Sequence, residues 1–281
     1  MGWFFHIPHK GISKEVPFCS HKMVKLKVHS QFDYDTFPDR HPAEGESYVD
    51  VWQDNMVIGN HGGIALLLEP RSMIGSAYEY ARANHRNYKY IFTHDSDLLK
   101  FENARLLIWA DVWCTTDSPK TKGISLVSSW KNWCPLHSAR LHLARHFENS
   151  DLVDVYGTYN DPSNIETLAV PPEAYLENYK FSIIIENDID EYWFTEKILN
   201  CFATKTVPIY VGATKIGDVF NEKGIIQVSD WREIPEIVKS LNLDSYESYR
   251  DAIEDNFERV KAFTTPWRDR FFKEYEGLLS D

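Results

Sequence analysis

Residues 181–185 form an apolar run that leads into Glu186-Asn187 and a loop, Asp188-Ile189-Asp190-Glu191-Tyr192-Trp193-Phe194. Thr195-Glu196-Lys197-Ile198 then follows. Ligands of open α/β sheets bind beyond the carboxyl ends of strands. A helix start attracts phosphate through its free N–H groups and its dipole. Thr195 suits the helix N-cap. Lys197, in the first turn, adds a positive charge for a diphosphate, and Glu196 can accept hydrogen bonds from a ribose. By spacing alone the same residues also fit an ordinary capped helix with a surface Glu–Lys pair.

Three other places carry reactive side chains. Glu69 closes the apolar run 64–68 and precedes Pro70, so it stands at a strand's carboxyl end. A carboxylate partly desolvated there gains a raised pKa and suits a general base; it also suits the cap of the next helix. Asp95-Ser96-Asp97 follows another apolar run, and two carboxylates at that spacing can hold Mn2+ or Mg2+ beside a diphosphate. His142 and His146 are four residues apart on an expected helix, a zinc-compatible spacing. With no acidic or Cys ligand at matching spacing, they read as a polar helix face.

Short apolar runs at 23–28, 64–68, 88–92 and 104–109 predict strands, with a helix over 72–85. A polar stretch over 115–123 reads as a linker. Beyond it, strands are expected at 124–127, 152–156, 181–185, 207–211 and 225–228. Helices are expected at 136–147, 195–202, 231–241, 246–263 and 267–279. The expectation is α/β: two Rossmann-like domains with a cleft between them, an acceptor-side domain over 1–120 and a nucleotide-sugar-binding domain with the C-terminal helices over 121–281.

Composition narrows the function classes. The chain has 281 residues, enough for two domains, and 43% hydrophobic residues, which rules out disorder as its main state. A net charge of -12 argues against a nucleic-acid partner, although a few placed cations can still hold a nucleotide. Four cysteines without a CxxC pair read as reduced thiols. There is no apolar run of membrane-spanning length. The start, Met1-Gly2-Trp3-Phe4-Phe5-His6, lacks the features of a signal peptide or a myristoylation site. A soluble cytoplasmic protein is expected, with its oligomeric state open.

The stretch Glu186-Asn187 through Thr195-Glu196-Lys197-Ile198 resembles the donor-binding signature of the α1,3-fucosyltransferase family, glycosyltransferase family 10: F-E-N, a loop, then T-E-K-I. Four further segments follow the family's pattern in order. Val127-Ser128-Ser129-Trp130 with Ser138-Ala139-Arg140 is similar to its S-N segment and Arg-bearing helix. Val153-Asp154-Val155-Tyr156-Gly157 is similar to its V-D-V-Y-G strand. Thr206-Val207-Pro208 to Gly212 is similar to its T-V-P strand, and Ile226-Gln227-Val228-Ser229-Asp230-Trp231 to the element after it.

This resemblance implies a GT-B-like, inverting enzyme with a GDP-sugar donor and an oligosaccharide or glycan acceptor. It needs no cofactor, with Mn2+ or Mg2+ as possible stimulants. Arg140 and Lys197 clamp the diphosphate, and Glu196, Asn187 and Trp193 belong to the donor pocket. Glu69, in a segment like the family's E-x-P element, is the base, while Asp95-Ser96-Asp97 resembles a D-S-D element downstream of it. The sequence departs from the pattern at Ile185 (usually Phe), at Trp193 (usually Tyr) and in the acidic loop 188–191. These positions bear on which sugar and base are bound. The same fold with another nucleotide sugar, or an inert glycan- or nucleotide-binding protein, are the alternatives. The absence of an apolar anchor fits a bacterial or viral-type member.

Overall fold

The computed structural model describes residues 23–30, 36–55, 62–161, 163 and 170–280. The first half contains β1 (Leu26–Ser30), β2 (Val49–Gln53), β3 (Ile64–Leu66), α1 (Arg71–Ala83), β4 (Tyr90–Thr93) and β5 (Ala104–Leu106). The second half contains β6 (Lys122–Val127), α2 (Pro135–Phe147), β7 (Val153–Tyr156), α3 (Pro172–Leu176), β8 (Tyr179–Ile185), α4 (Glu196–Ala203) and β9 (Val207–Val211). β10 (Ile226–Gln227), α5 (Ile234–Ser240), α6 (Arg250–Val260) and α7 (Trp267–Ser280) complete it.

Each half is built on a five-stranded parallel sheet. The first runs β1-β2-β3-β4-β5 and the second β10-β9-β8-β6-β7. Parallel strands buried on both faces read as continuous apolar runs, as in Phe181-Ser182-Ile183-Ile184-Ile185. Alternation still sorts the two faces. Ile183, Ile185, Ile209 and Val211 pack toward α2 and α5. Ile184 and Tyr210 pack toward α4, through Ile198, Leu199 and Phe202. In the second sheet the strand order reverses between β6 and β8, which opens a crevice at the carboxyl ends of those two strands. The first sheet's described strands run in sequence order without such a reversal.

The expected strand at 23–28 falls instead at β1, and β2 was not expected. Its sequence, Val49-Asp50-Val51-Trp52-Gln53, is short and half polar, and pairing with β1 and β3 makes it a strand. The C-terminal helix, expected at 267–279, is α7. Phe271, Phe272, Tyr275 and Leu279 of α7 pack with Leu26, Phe37, Ile64, Leu66 and Phe92. The chain thus returns from the second half to cover the first sheet, while α1 covers the opposite face through Ile74, Ala77, Tyr78 and Ala81. Among the described residues no helix is long and apolar enough to cross a membrane. Cys114, Cys134 and Cys201 are free and buried; Cys19 and residues 1–6 lie outside the described residues.

Candidate active site

The second half's contribution begins where β8 ends. Glu186 is fully buried. Its Oε1 accepts the Thr195 N–H at 2.9 Å, and its Oε2 accepts the Thr195 hydroxyl at 2.8 Å. Thr195 caps α4, its Oγ1 accepting from the Lys197 N–H and, at 2.9 Å, from Lys197 Nζ. The ammonium lies 3.2 Å from Glu196 Oε1 and 3.5 Å from Glu186 Oε2. Burial lowers the Lys197 pKa, but Glu196 and Glu186 outweigh it, so the ammonium is held charged above its ordinary value. Burial raises the Glu186 carboxyl, against the pull of Lys197.

Arg140, from α2, donates from Nη2 to Asn187 Oδ1 at 2.6 Å. It meets an amide there rather than a carboxylate. Burial lowers its pKa, though a guanidinium remains charged. Asn187 is also a hub through its backbone oxygen. That oxygen accepts Ser72 Oγ from the first half at 2.9 Å and Cys134 Sγ from the start of α2 at 3.3 Å. Beside it, Asp188 Oδ2 accepts the Ser72 N–H at 2.8 Å. Asp190 accepts hydrogen bonds from Glu191 and Ser96, while burial raises its carboxyl. The acidic loop therefore clasps the first half.

Glu69 enters from that half, just beyond β3. Its backbone is held at both ends. Asp54 Oδ1 accepts the N–H groups of Leu68 at 2.7 Å and Glu69 at 3.3 Å. Tyr78 donates its hydroxyl to the Glu69 carbonyl at 2.6 Å and meets His94 Nε2 at 3.1 Å. Asp54 is buried with φ of 49°, a left-handed conformation that aims its carboxylate at the turn. His94 is buried, which pushes its pKa down to about 3 and keeps the ring neutral. Sequence reasoning missed Asp54, Tyr78 and His94, because their partners lie 9 to 16 residues away and no motif marks them. The Glu69 carboxyl is raised by burial, lowered in turn by Lys197, raised by Glu196 and lowered by Lys131. A carboxylate on one half thus feels the charge of Lys197 and Lys131 on the other.

Other expected residues sit differently. Trp193, expected in the donor pocket, is buried in this structure. It is 2% exposed, with its ring centroid 4.4 Å from His94 and 5.9 Å from Trp109. A large ring in a polar loop is driven into the seam between the halves. Asp95 and Asp97 do not converge. Asp95 is buried, accepting from Arg71 and the Leu98 N–H, while exposed Asp97 pairs with Lys100. Among the described residues no cluster of three or more His, Cys, Asp or Glu is placed to hold a metal ion. His142 and His146 are exposed on α2, against Trp231 and Phe147.

Two parallel α/β halves, meeting with a carboxylate on one side and paired cations on the other, define a glycosyltransferase of GT-B architecture. The chain belongs to glycosyltransferase family 10 (fucosyltransferase), whose C-terminal-region model matches residues 118–262. An α-(1,3)-fucosyltransferase of Helicobacter pylori is 33% identical over 64 residues, a stretch covering 23% of this chain and 13% of that protein. Two solved structures share the fold. A crystal structure of an α1,3-fucosyltransferase with GDP aligns over 96% of this chain and 94% of its own, at 12% identity and a TM-score of 0.56. The crystal structure of TarM covers 85% of this chain and 51% of its own, at 12% identity and a TM-score of 0.52.

Proposed function

We propose that this protein transfers fucose from GDP-fucose to a hydroxyl of a glycan, with inversion at the anomeric carbon. The observation that carries the reading is the junction of the Glu69 segment with the Asn187–Asp188 loop through Ser72, beside the Arg140–Asn187 contact. Glu69 takes the proton of the acceptor hydroxyl. The oxygen attacks the anomeric carbon, and the bond to the β-phosphate breaks with its electron pair leaving on GDP. Arg140 and Lys197 neutralise the charge that develops there, which favours the transition state over the ground state. Glu196 meets the ribose, and Asn187 orients Arg140. Two cations already supply this neutralisation, so no metal cofactor is required in this scheme. The family match and the H. pylori relative support fucose as the sugar.

Calorimetric titration with GDP and with UDP, each with and without Mn2+, tests the donor assignment. Metal-independent binding of GDP is expected. UDP binding that needs Mn2+ would overturn it. Transfer from GDP-fucose to an acceptor panel then tests the reaction itself.

A further inference from the structure

The loop from β6 to α2 leaves the second sheet at its switch point, beside the donor loop after β8. Its last residues are tightly held. The Trp133 N–H donates to His137 Nδ1 at 3.2 Å, and Cys134 Sγ donates to the same Asn187 oxygen that receives Ser72 Oγ. Ser72 is three residues beyond Glu69. The loop and the Glu69 turn therefore meet at one backbone oxygen. Burial lowers the His137 pKa to about 4, so its ring stays neutral and can accept that N–H.

On this fixed backbone the Trp133 ring is 58% exposed. Lys131 Nζ lies 4.6 Å from its centroid, and Trp130 meets it edge-on at 6.3 Å. Cys134, next to Trp133, shares the Asn187 oxygen with Ser72, which sets this corner beside the Glu69 segment. A large apolar ring presented to solvent by a rigid frame costs stability that burial elsewhere would not. Exposed aromatics with polar groups at the rim suit a ligand that is apolar on one face and hydroxylated at its edge.

We infer that Trp133, with Trp130 behind it and Lys131 at its rim, is a stacking platform for a pyranose ring of the acceptor. The C–H face of the sugar lies on the indole, and a ring hydroxyl accepts from the Lys131 ammonium. The inference deepens the proposed function and rests on it for the identity of the glycan as acceptor. It also places part of the acceptor site on the second half, whereas the sequence placed that site in the first.

A glycan array probed with GDP-loaded protein tests the platform without requiring turnover. Wild-type protein is expected to bind a subset of its neutral oligosaccharides. Trp133→Ala is expected to lose at least tenfold of that binding, and Trp133→Phe to keep most of it, with GDP affinity unchanged in both. Trp133→Ala protein that binds the array like wild type overturns the platform, as does a wild-type protein that binds nothing on it. A parallel fall in GDP affinity in Trp133→Ala also overturns it, because the ring would then be supporting the donor loop. Failure of wild-type protein to bind GDP overturns the donor assignment instead, and an array run without nucleotide still reads the ring.

Discussion

The Lys197 ammonium compensates buried Glu186 and, in the proposed reaction, also meets the diphosphate. A charge-assisted hydrogen bond contributes about 1.5–3 kcal/mol. Lys197→Ala should therefore weaken GDP binding by roughly 10- to 150-fold while the far-UV spectrum stays native; calorimetry showing unchanged affinity would remove Lys197 from the site. Glu69→Gln should retain GDP affinity and lose about 100-fold or more in transfer, the usual scale for a general base. A fully active Gln variant would end that role. The pH dependence has a definite sign. Glu69 must be ionised to act, and its pKa is raised by burial, so activity should fall as the pH drops through a point above the ordinary carboxylate range. The Lys131 charge lowers that pKa, so Lys131→Met should move the acid limb of kcat/KM to higher pH. A shift in the opposite direction would contradict the placement of Lys131 beside Glu69.

Among the elements, α4 matters most, since its first turn carries Glu196 and Lys197, the proposed donor-side residues. Thr195 has a buried hydroxyl that donates to Glu186 and accepts from Lys197. Thr195→Ala should lower stability by about 0.5–2 kcal/mol, the usual effect of losing an N-cap. GDP binding should weaken with it, because Glu186 and Lys197 lose their common partner. Urea unfolding and a GDP titration read the two effects, and Thr195→Ser should restore both. If Thr195→Ala loses stability but keeps full GDP affinity, the cap serves the helix alone. The positions of α4 and β8 were legible from the sequence, because a long apolar run followed by a capping residue is a local signal. β2 and α3 were not, since each is short and takes its shape from neighbours distant in the chain.

Across the whole molecule, α7 ties the chain's end to its beginning. Arg270 donates to the Ala110 carbonyl at 2.7 Å and pairs with Asp111, while Phe271 is buried among Phe37, Phe92 and Tyr275. Truncating a buried Phe costs about 3–5 kcal/mol. Phe271→Ala should therefore lower the urea midpoint markedly, although the residue lies far from Glu69 in sequence. A loss under about 1 kcal/mol would mean that α7 is dispensable to the first sheet. Another contact between the halves is the clasp of Asp188 and Asn187 on Ser72, which ties the segment of the proposed base to that of the proposed diphosphate clamp.

The α/β class, the family and most strands and helices are legible in the sequence alone. Apolar periodicity, capping residues and the family's motif order are all local in the chain. Tertiary structure decided what depends on contacts between distant segments. It sends Trp193 into the seam, occupies Asp95 with Arg71, and returns α7 to the first sheet. It also fixes Glu69 through Asp54 and Tyr78 and sets Trp133 in solvent beside the Glu69 segment. Burial and charge pairing act through space, so residues with similar local signals end in different roles.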